Sequence, residues 1–184
     1  GAASLTNNTT GNANTAAGTN ALLNNTTGYS NVAVGINTLR SNTTKNNLVA
    51  LGDSALLNNG TGASLAIDAT ANTAIGSKAL YANTTGNSNT ATGQNSLTNN
   101  TTGNNNTSAG QNSLTNNSNG NNNTSTGQNS LTNNSTGSSN TSNGAGSLMG
   151  NTTGFSNTAV GKNELNKNSS RSNLGAMGDS AWYN

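Results

Sequence analysis

Gly93 to Ala109 reads G-Q-N-S-L-T-N-N-T-T-G-N-N-N-T-S-A, and this 17-residue unit returns in phase along the whole chain. A fixed period of this size marks a stack of repeated supersecondary units rather than an ordinary globular domain. With the opening glycine as position 1, the repeats start at Gly1, Gly18, Gly35, Gly52, Gly76, Gly93, Gly110, Gly127, Gly144, Gly161 and Gly178. Every step is 17 residues except Gly52 to Gly76, which is 24 and carries seven extra residues near 62–69. The chain, 1–184, is thus one array of ten coils and a partial eleventh.

Three further columns sharpen the unit. Position 5 is Leu5, Leu22, Leu39, Leu56, Leu80, Leu97, Leu114, Leu131, Leu148 and Leu165, with Trp182 in the partial repeat. These residues form the expected core ladder, Trp182 included. Position 16 is always Ala or Ser, and position 17 is often aliphatic, as in Val34, Leu51, Ile75, Val160 and Met177. A longer repeat is nested on the short one. Residues 35–55 match 161–181 at an offset of 126, and each copy places a cation at position 11 (Lys45, Arg171) and Leu at position 14 (Leu48, Leu174).

Glycine at positions 1 and 11 and the wealth of Asn and Thr, all poor helix formers, argue against helix. Nor do the apolar residues recur at helical spacing. Short strands separated by Gly and Asn turns fit, since both residues tolerate positive φ. The pattern predicts one strand through positions 14–17 and a second through positions 4 and 5, making one coil of an all-β solenoid. At the strand spacing of ~4.8 Å the array would be roughly 50 Å long.

Hydrophobic residues are only 28% of the chain, so a large oily core is out of reach. One buried Leu contributes roughly 1.5–3 kcal/mol, whereas ordering each backbone residue costs about 1–2 kcal/mol. Inter-coil hydrogen bonds, stacked Asn and Thr ladders and contacts between subunits must supply the rest. That applies most to the coils from Gly93 to Asn143, whose strands read T-S-A, T-S-T and T-S-N.

The turn glycines Gly18, Gly35, Gly52, Gly76, Gly93, Gly110, Gly127, Gly144, Gly161 and Gly178 stand beside a recognisable strand motif. N-T-A-I-G-S-K-A-L (Asn72 to Leu80) resembles the S-V-A-I-G-x-x-A repeat in head domains of trimeric autotransporter adhesins. N-V-A-V-G-I-N-T-L (Asn31 to Leu39) is similar to runs in phage tail-fibre proteins. The resemblance implies a parallel β-roll assembled as a homotrimer, extracellular, on a cell surface or a virion tail. It also puts positions 15 and 17, such as Val32 and Val34 or Thr73 and Ile75, on the inward strand face. The 17-residue period and the Ser-Thr middle coils depart from that pattern.

The chemistry of an enzyme is not evident. Without His or Cys there is no triad, thiol nucleophile or zinc site, and no disulfide framework. The acids are Asp53, Asp68, Glu164 and Asp179, with Asp53 and Asp179 at equivalent repeat positions and so far apart in a stack. No catalytic residue, cofactor site or metal site is expected. A net charge of +2 leaves no basic stripe for nucleic acid, and no apolar run is long enough to insert in a membrane. Sequons at Asn8, Asn25, Asn83 and Asn151 make these candidate glycosylation acceptors, although an Asn-Thr-rich repeat produces sequons by composition alone. Lys45 with Arg40, and Arg171 with Lys167, make small cationic clusters expected on a solvated face. Tyr29, Tyr81, Phe155 and Tyr183 are too sparse to define an aromatic patch.

Three functions remain open. The leading one is a non-enzymatic fibre segment, adhesin stalk or head or tail-fibre shaft, that holds a binding tip away from a surface. The chain itself is then the principal partner, and a cell-surface glycan or receptor would be met by regions outside this window. The second is a filament subunit joined through uncapped solenoid ends. The third is an ice-binding solenoid using threonine ladders. The adjacent Thr9 and Thr10, which would point to opposite faces, count against it.

Overall fold

The structure is a computed structural model and describes residues 1–180. It is all-β, a solenoid of coils with one strand each. The strands are β1 (Thr15–Ala17), β2 (Val32–Val34), β3 (Val49–Leu51), β4 (Thr73–Ile75) and β5 (Thr90–Thr92), followed by β6 (Thr107–Ala109), β7 (Thr124–Thr126), β8 (Thr141–Asn143), β9 (Thr158–Val160) and β10 (Gly175–Met177). They form a single parallel sheet in sequence order. The register never slips: positions 15, 16 and 17 pair with their equivalents in the next coil, across the 24-residue coil as elsewhere.

Among the described residues the expected second strand at positions 4 and 5 is absent. That segment is a run of tight turns, and the position-5 leucines have φ near +50°, from 49° at Leu148 to 52° at Leu39. Left-handed backbone costs an L-residue roughly 1–2 kcal/mol, which full burial of a Leu, roughly 1.5–3 kcal/mol, can offset. A bond to the next coil accompanies that burial. Leu22 N donates to Thr38 O (3.0 Å) and Leu97 N to Ser113 O (3.0 Å), so the turn stays hydrogen-bonded along the stack without being a strand. Positions 3 and 13 are left-handed too, and Asn and Ser occupy most of these sites. At position 1 the glycines from Gly18 to Gly178 have φ between 123° and 145°. A Cβ on Gly93 would also sit 2.6 Å from Gly110 O, so the turn needs glycine twice over.

The core is narrow. Every position-5 Leu from Leu22 to Leu148 is fully buried, Leu165 nearly so, and Leu5 at the first coil is partly covered. Trp182 lies outside the described residues. Position 16 points inward, and Ala33, Ala74 and Ser108 are fully buried. Strand alternation then turns positions 15 and 17 outward. Val34 is 40% and Ile75 39% exposed, which reverses the inward placement that the adhesin resemblance implied for Val32, Val34, Thr73 and Ile75. Opposite the Leu that fills the coil, position 16 is Ala or Ser throughout.

Position 4 closes the core against position 16, and in the middle coils both are serine. Their hydroxyls form a buried chain that passes through the backbone carbonyl of Ser113 at one step. Ser96 Oγ donates to Ser108 Oγ (2.8 Å), Ser108 to Ser113 O (3.0 Å), Ser113 to Ser125 Oγ (2.8 Å) and Ser125 to Ser130 Oγ (2.8 Å). Ser130 continues to Ser142 Oγ (2.7 Å), Ser142 to Ser147 Oγ (2.9 Å), and Ser147 ends on Ala159 O (3.3 Å). In the Gly76 coil the same two sites are Ala79 and Ala91, packed equally tightly. A single Ser125→Ala interrupts the chain and is expected to cost about 1–3 kcal/mol. Changing all seven serines to Ala leaves no orphaned hydroxyl, so denaturant midpoints should show it costing far less than seven single losses added together.

Candidate functional site

Two asparagine columns run through the stack. At position 8, Nδ2 donates both to the position-11 carbonyl of its own coil and to Oδ1 of the preceding position-8 Asn. Asn100 thus reaches Gly103 O (3.0 Å) and Asn83 Oδ1 (3.0 Å), and Asn117 reaches Gly120 O (2.9 Å) and Asn100 Oδ1 (2.8 Å). At position 14, Nδ2 donates to the position-11 carbonyl of the following coil, as Asn89 does to Gly103 O (2.8 Å) and Asn106 to Gly120 O (2.8 Å). Each Oδ1 also accepts the backbone N–H of its counterpart one coil on, as Asn89 Oδ1 does from Asn106 N (2.9 Å). One carbonyl per coil therefore takes two buried amides from two coils. Position 9 adds a third tie, with Thr84 Oγ1 donating to Thr101 O (2.9 Å).

These columns decide the sequons. Asn25, Asn83 and Asn151 are position-8 residues with no exposed surface, and their Nδ2 atoms are bonded inside the ladder. The folded coil offers none of the three for glycosylation. Asn8 is half-buried and donates to Gly11 O (2.8 Å). The position-8 asparagines recur as regularly as the leucines, and that regularity is the signal that marks a buried column.

The outward face of the sheet is a regular surface. Its first part is apolar, with Val32 and Val34 in β2, Val49 and Leu51 in β3, and Ile75 in β4. From β5 to β9 it is threonine-rich, and Thr90 with Thr92, and Thr124 with Thr126, point the same way from one strand. The pairing relevant to a threonine array is therefore positions 15 and 17. Thr9, by contrast, commits its hydroxyl to Thr26 O (2.9 Å). Exposed side-chain ladders flank the sheet, such as Gln128 Nε2 to Gln111 Oε1 (3.1 Å) and Gln111 Nε2 to Gln94 Oε1 (3.1 Å).

The charged residues are scattered. Asp53 and Asp179 each sit beside a serine in a G-D-S turn, with Ser180 Oγ donating to Asp179 Oδ1 (3.1 Å). They are seven coils apart, roughly 34 Å at ~4.8 Å per coil. Asp68 Oδ2 accepts from Leu65 N (2.9 Å) within the insertion, and Glu164 is buried at position 4. Among the described residues no three His, Cys, Asp or Glu gather in a metal-binding group. Lys45 does not stand on a solvated face beside Arg40, as expected from sequence. It is 7% exposed and donates from Nζ to Leu65 O (2.7 Å). Tyr29 and Phe155 are exposed in distant coils, Tyr81 is half-buried, and Tyr183 lies outside the described residues.

No protein-family model, curated protein or solved structure matches the chain.

The neighbouring residues Asn116 and Asn117 separate the exposed ladder from the buried one. Asn117→Ala leaves Gly120 O and Asn100 Oδ1 short of a donor and is expected to cost about 1–3 kcal/mol. Asn116→Ala, on the surface, should stay within about 0.5 kcal/mol of wild type. Equal effects in chemical denaturation would mean the buried column does not hold the coils.

Proposed function

We propose that the chain is a non-enzymatic structural segment of an extracellular fibre, an adhesin stalk or head or a tail-fibre shaft, that associates with copies of itself. The observation that carries this reading is the apolar start of the outward sheet face. Val32, Val34, Val49, Leu51 and Ile75 line up strand over strand on a regular surface, with Val34 and Ile75 about two-fifths exposed. A second chain laid against this stripe would remove it from water, at roughly 25 cal/mol per Å² of apolar area. The likeness of N-T-A-I-G-S-K-A-L to adhesin head repeats supports three copies around one axis and a location on a cell surface or virion tail. The mechanism is then mechanical. A rod whose coils are tied by buried amides holds a tip, which meets a glycan or receptor, away from its base.

The Thr90–Thr92 and Thr124–Thr126 pairs favour a second reading, in which the β5–β9 face orders water and binds ice. The two readings part in solution. Light scattering on the eluting protein should give three times 18.2 kDa, and Val34→Lys with Ile75→Lys should reduce it to one chain with the β circular dichroism intact. A wild-type monomer overturns the fibre reading, and thermal hysteresis from that monomer would select the ice binder. Open-ended polymers would point to filament growth through the coil ends.

A further inference from the structure

Position 11 is glycine in every described coil except three, and its reason is contact. These glycines do not have left-handed φ, yet a Cβ at Gly86, Gly103 or Gly137 would sit 2.4 Å from the position-11 carbonyl oxygen of the next coil. The position-8 Oδ1 of the same coil closes the other side, at 2.4 Å for Gly103. In this backbone conformation a side chain at position 11 is therefore incompatible with a regular coil stacked after it; Ala69 is accommodated at position 11 with a left-handed φ of 57°.

Lys45 breaks the rule just before the coil that carries the insertion. In that coil Asn59 Nδ2 donates to Ala69 O (2.9 Å), so Ala69 is its position 11 and the seven extra residues lie between these two. Several departures coincide at this one level of the stack. Leu48 replaces the position-14 Asn and is fully buried, so no amide is sent to the carbonyl that the loop has displaced. Asn42 Oδ1 is buried without a hydrogen-bond partner, because Asn59 Nδ2 no longer reaches back to it as its counterparts do elsewhere. Lys45 runs beneath the loop, with Cγ 3.0 Å from where a Cβ on Gly60 would be, and Nζ holds Leu65 O (2.7 Å). The loop it holds carries Leu65 and Ile67 outward, 62% and 61% exposed.

We propose that Lys45 and Leu48 together form a loop-bearing joint, a two-residue device that opens both asparagine columns at one level so that the rod can carry a projecting loop. The cation at position 11 replaces the missing next-coil contact with a hydrogen bond to the loop, and the leucine at position 14 removes an amide that would be left buried. The sheet passes through the joint unbroken, with Val49, Ala50 and Leu51 paired to Thr73, Ala74 and Ile75. The same pair of residue types recurs as Arg171 and Leu174, at an offset of 126 residues.

The joint is tested by a double-mutant cycle on the full chain. One change removes the loop (deletion of 62–68 with Ala69→Gly), which restores a regular coil length. The other removes the joint (Lys45→Gly with Leu48→Asn). Each alone is expected to lower the melting temperature by about 5 °C or more, the first because Lys45 meets the restored carbonyl, the second because the loop loses its anchor. Combined, they should recover the wild-type value or exceed it. If the loop deletion alone fails to fold, a combined variant with wild-type circular dichroism supports the joint equally well. A combined variant that loses the sum of the two single effects, or that also fails to fold, overturns the proposal.

Discussion

The carbonyl at position 11 is the point on which the stack depends. It lies in the interior and receives two side-chain amides, one from its own coil and one from the coil before, as Gly103 O does from Asn100 and Asn89. An asparagine buried without partners would cost several kcal/mol. Here its amide is satisfied only when the neighbouring coil is in place, so the polar interior makes each coil depend on the next. Nearest-neighbour dependence of this kind is the usual energetics of a repeat array. It is built here with amides in a chain whose apolar content could not provide it otherwise.

The narrow core explains why its composition can drift while its shape does not. Leucine at position 5 occupies the coil, and the buried strand position opposite it holds Ala or Ser. Alanine needs no partner, and serine is accepted where position 4 and position 16 change together, as in the run from Ser96 to Ser147. The larger aliphatic residues are displaced to the outward sheet face, where Val34 and Ile75 lie. Surface and core have thus exchanged the roles that strand hydrophobicity alone would give them.

The period, the solenoid and the leucine column were legible because glycine and leucine recur at fixed spacing with no competing pattern. The face assignment was not. A strand reading V-A-V has its larger residues at 15 and 17, and only the width of the coil, set by the leucine at position 5, decides that Ala33 goes inside. The supposed second strand failed for a related reason, since Leu at φ near +50° runs against every residue preference and holds only because burial and an inter-coil bond accompany it. The asparagine columns were visible as composition, but Asn25 and Asn83 read equally well as surface sequons until their Nδ2 partners were known. Lys45 looked like a solvated charge because nothing local in the sequence shows that the coil after it would fold a loop over its side chain.

The direction of the hydrogen bonds has a consequence for load. Backbone and side-chain bonds between coils run along the stack, so a pull on the two ends would act on them in series, and coils would peel away one at a time. Each regular coil stores 17 residues in a rise of ~4.8 Å, whereas the same residues drawn out reach roughly 55–60 Å. Every coil released therefore lengthens the molecule about twelvefold over the rise it gave up. Under strain such a rod would behave as a spool that yields length coil by coil, which caps the peak force along the whole line of load.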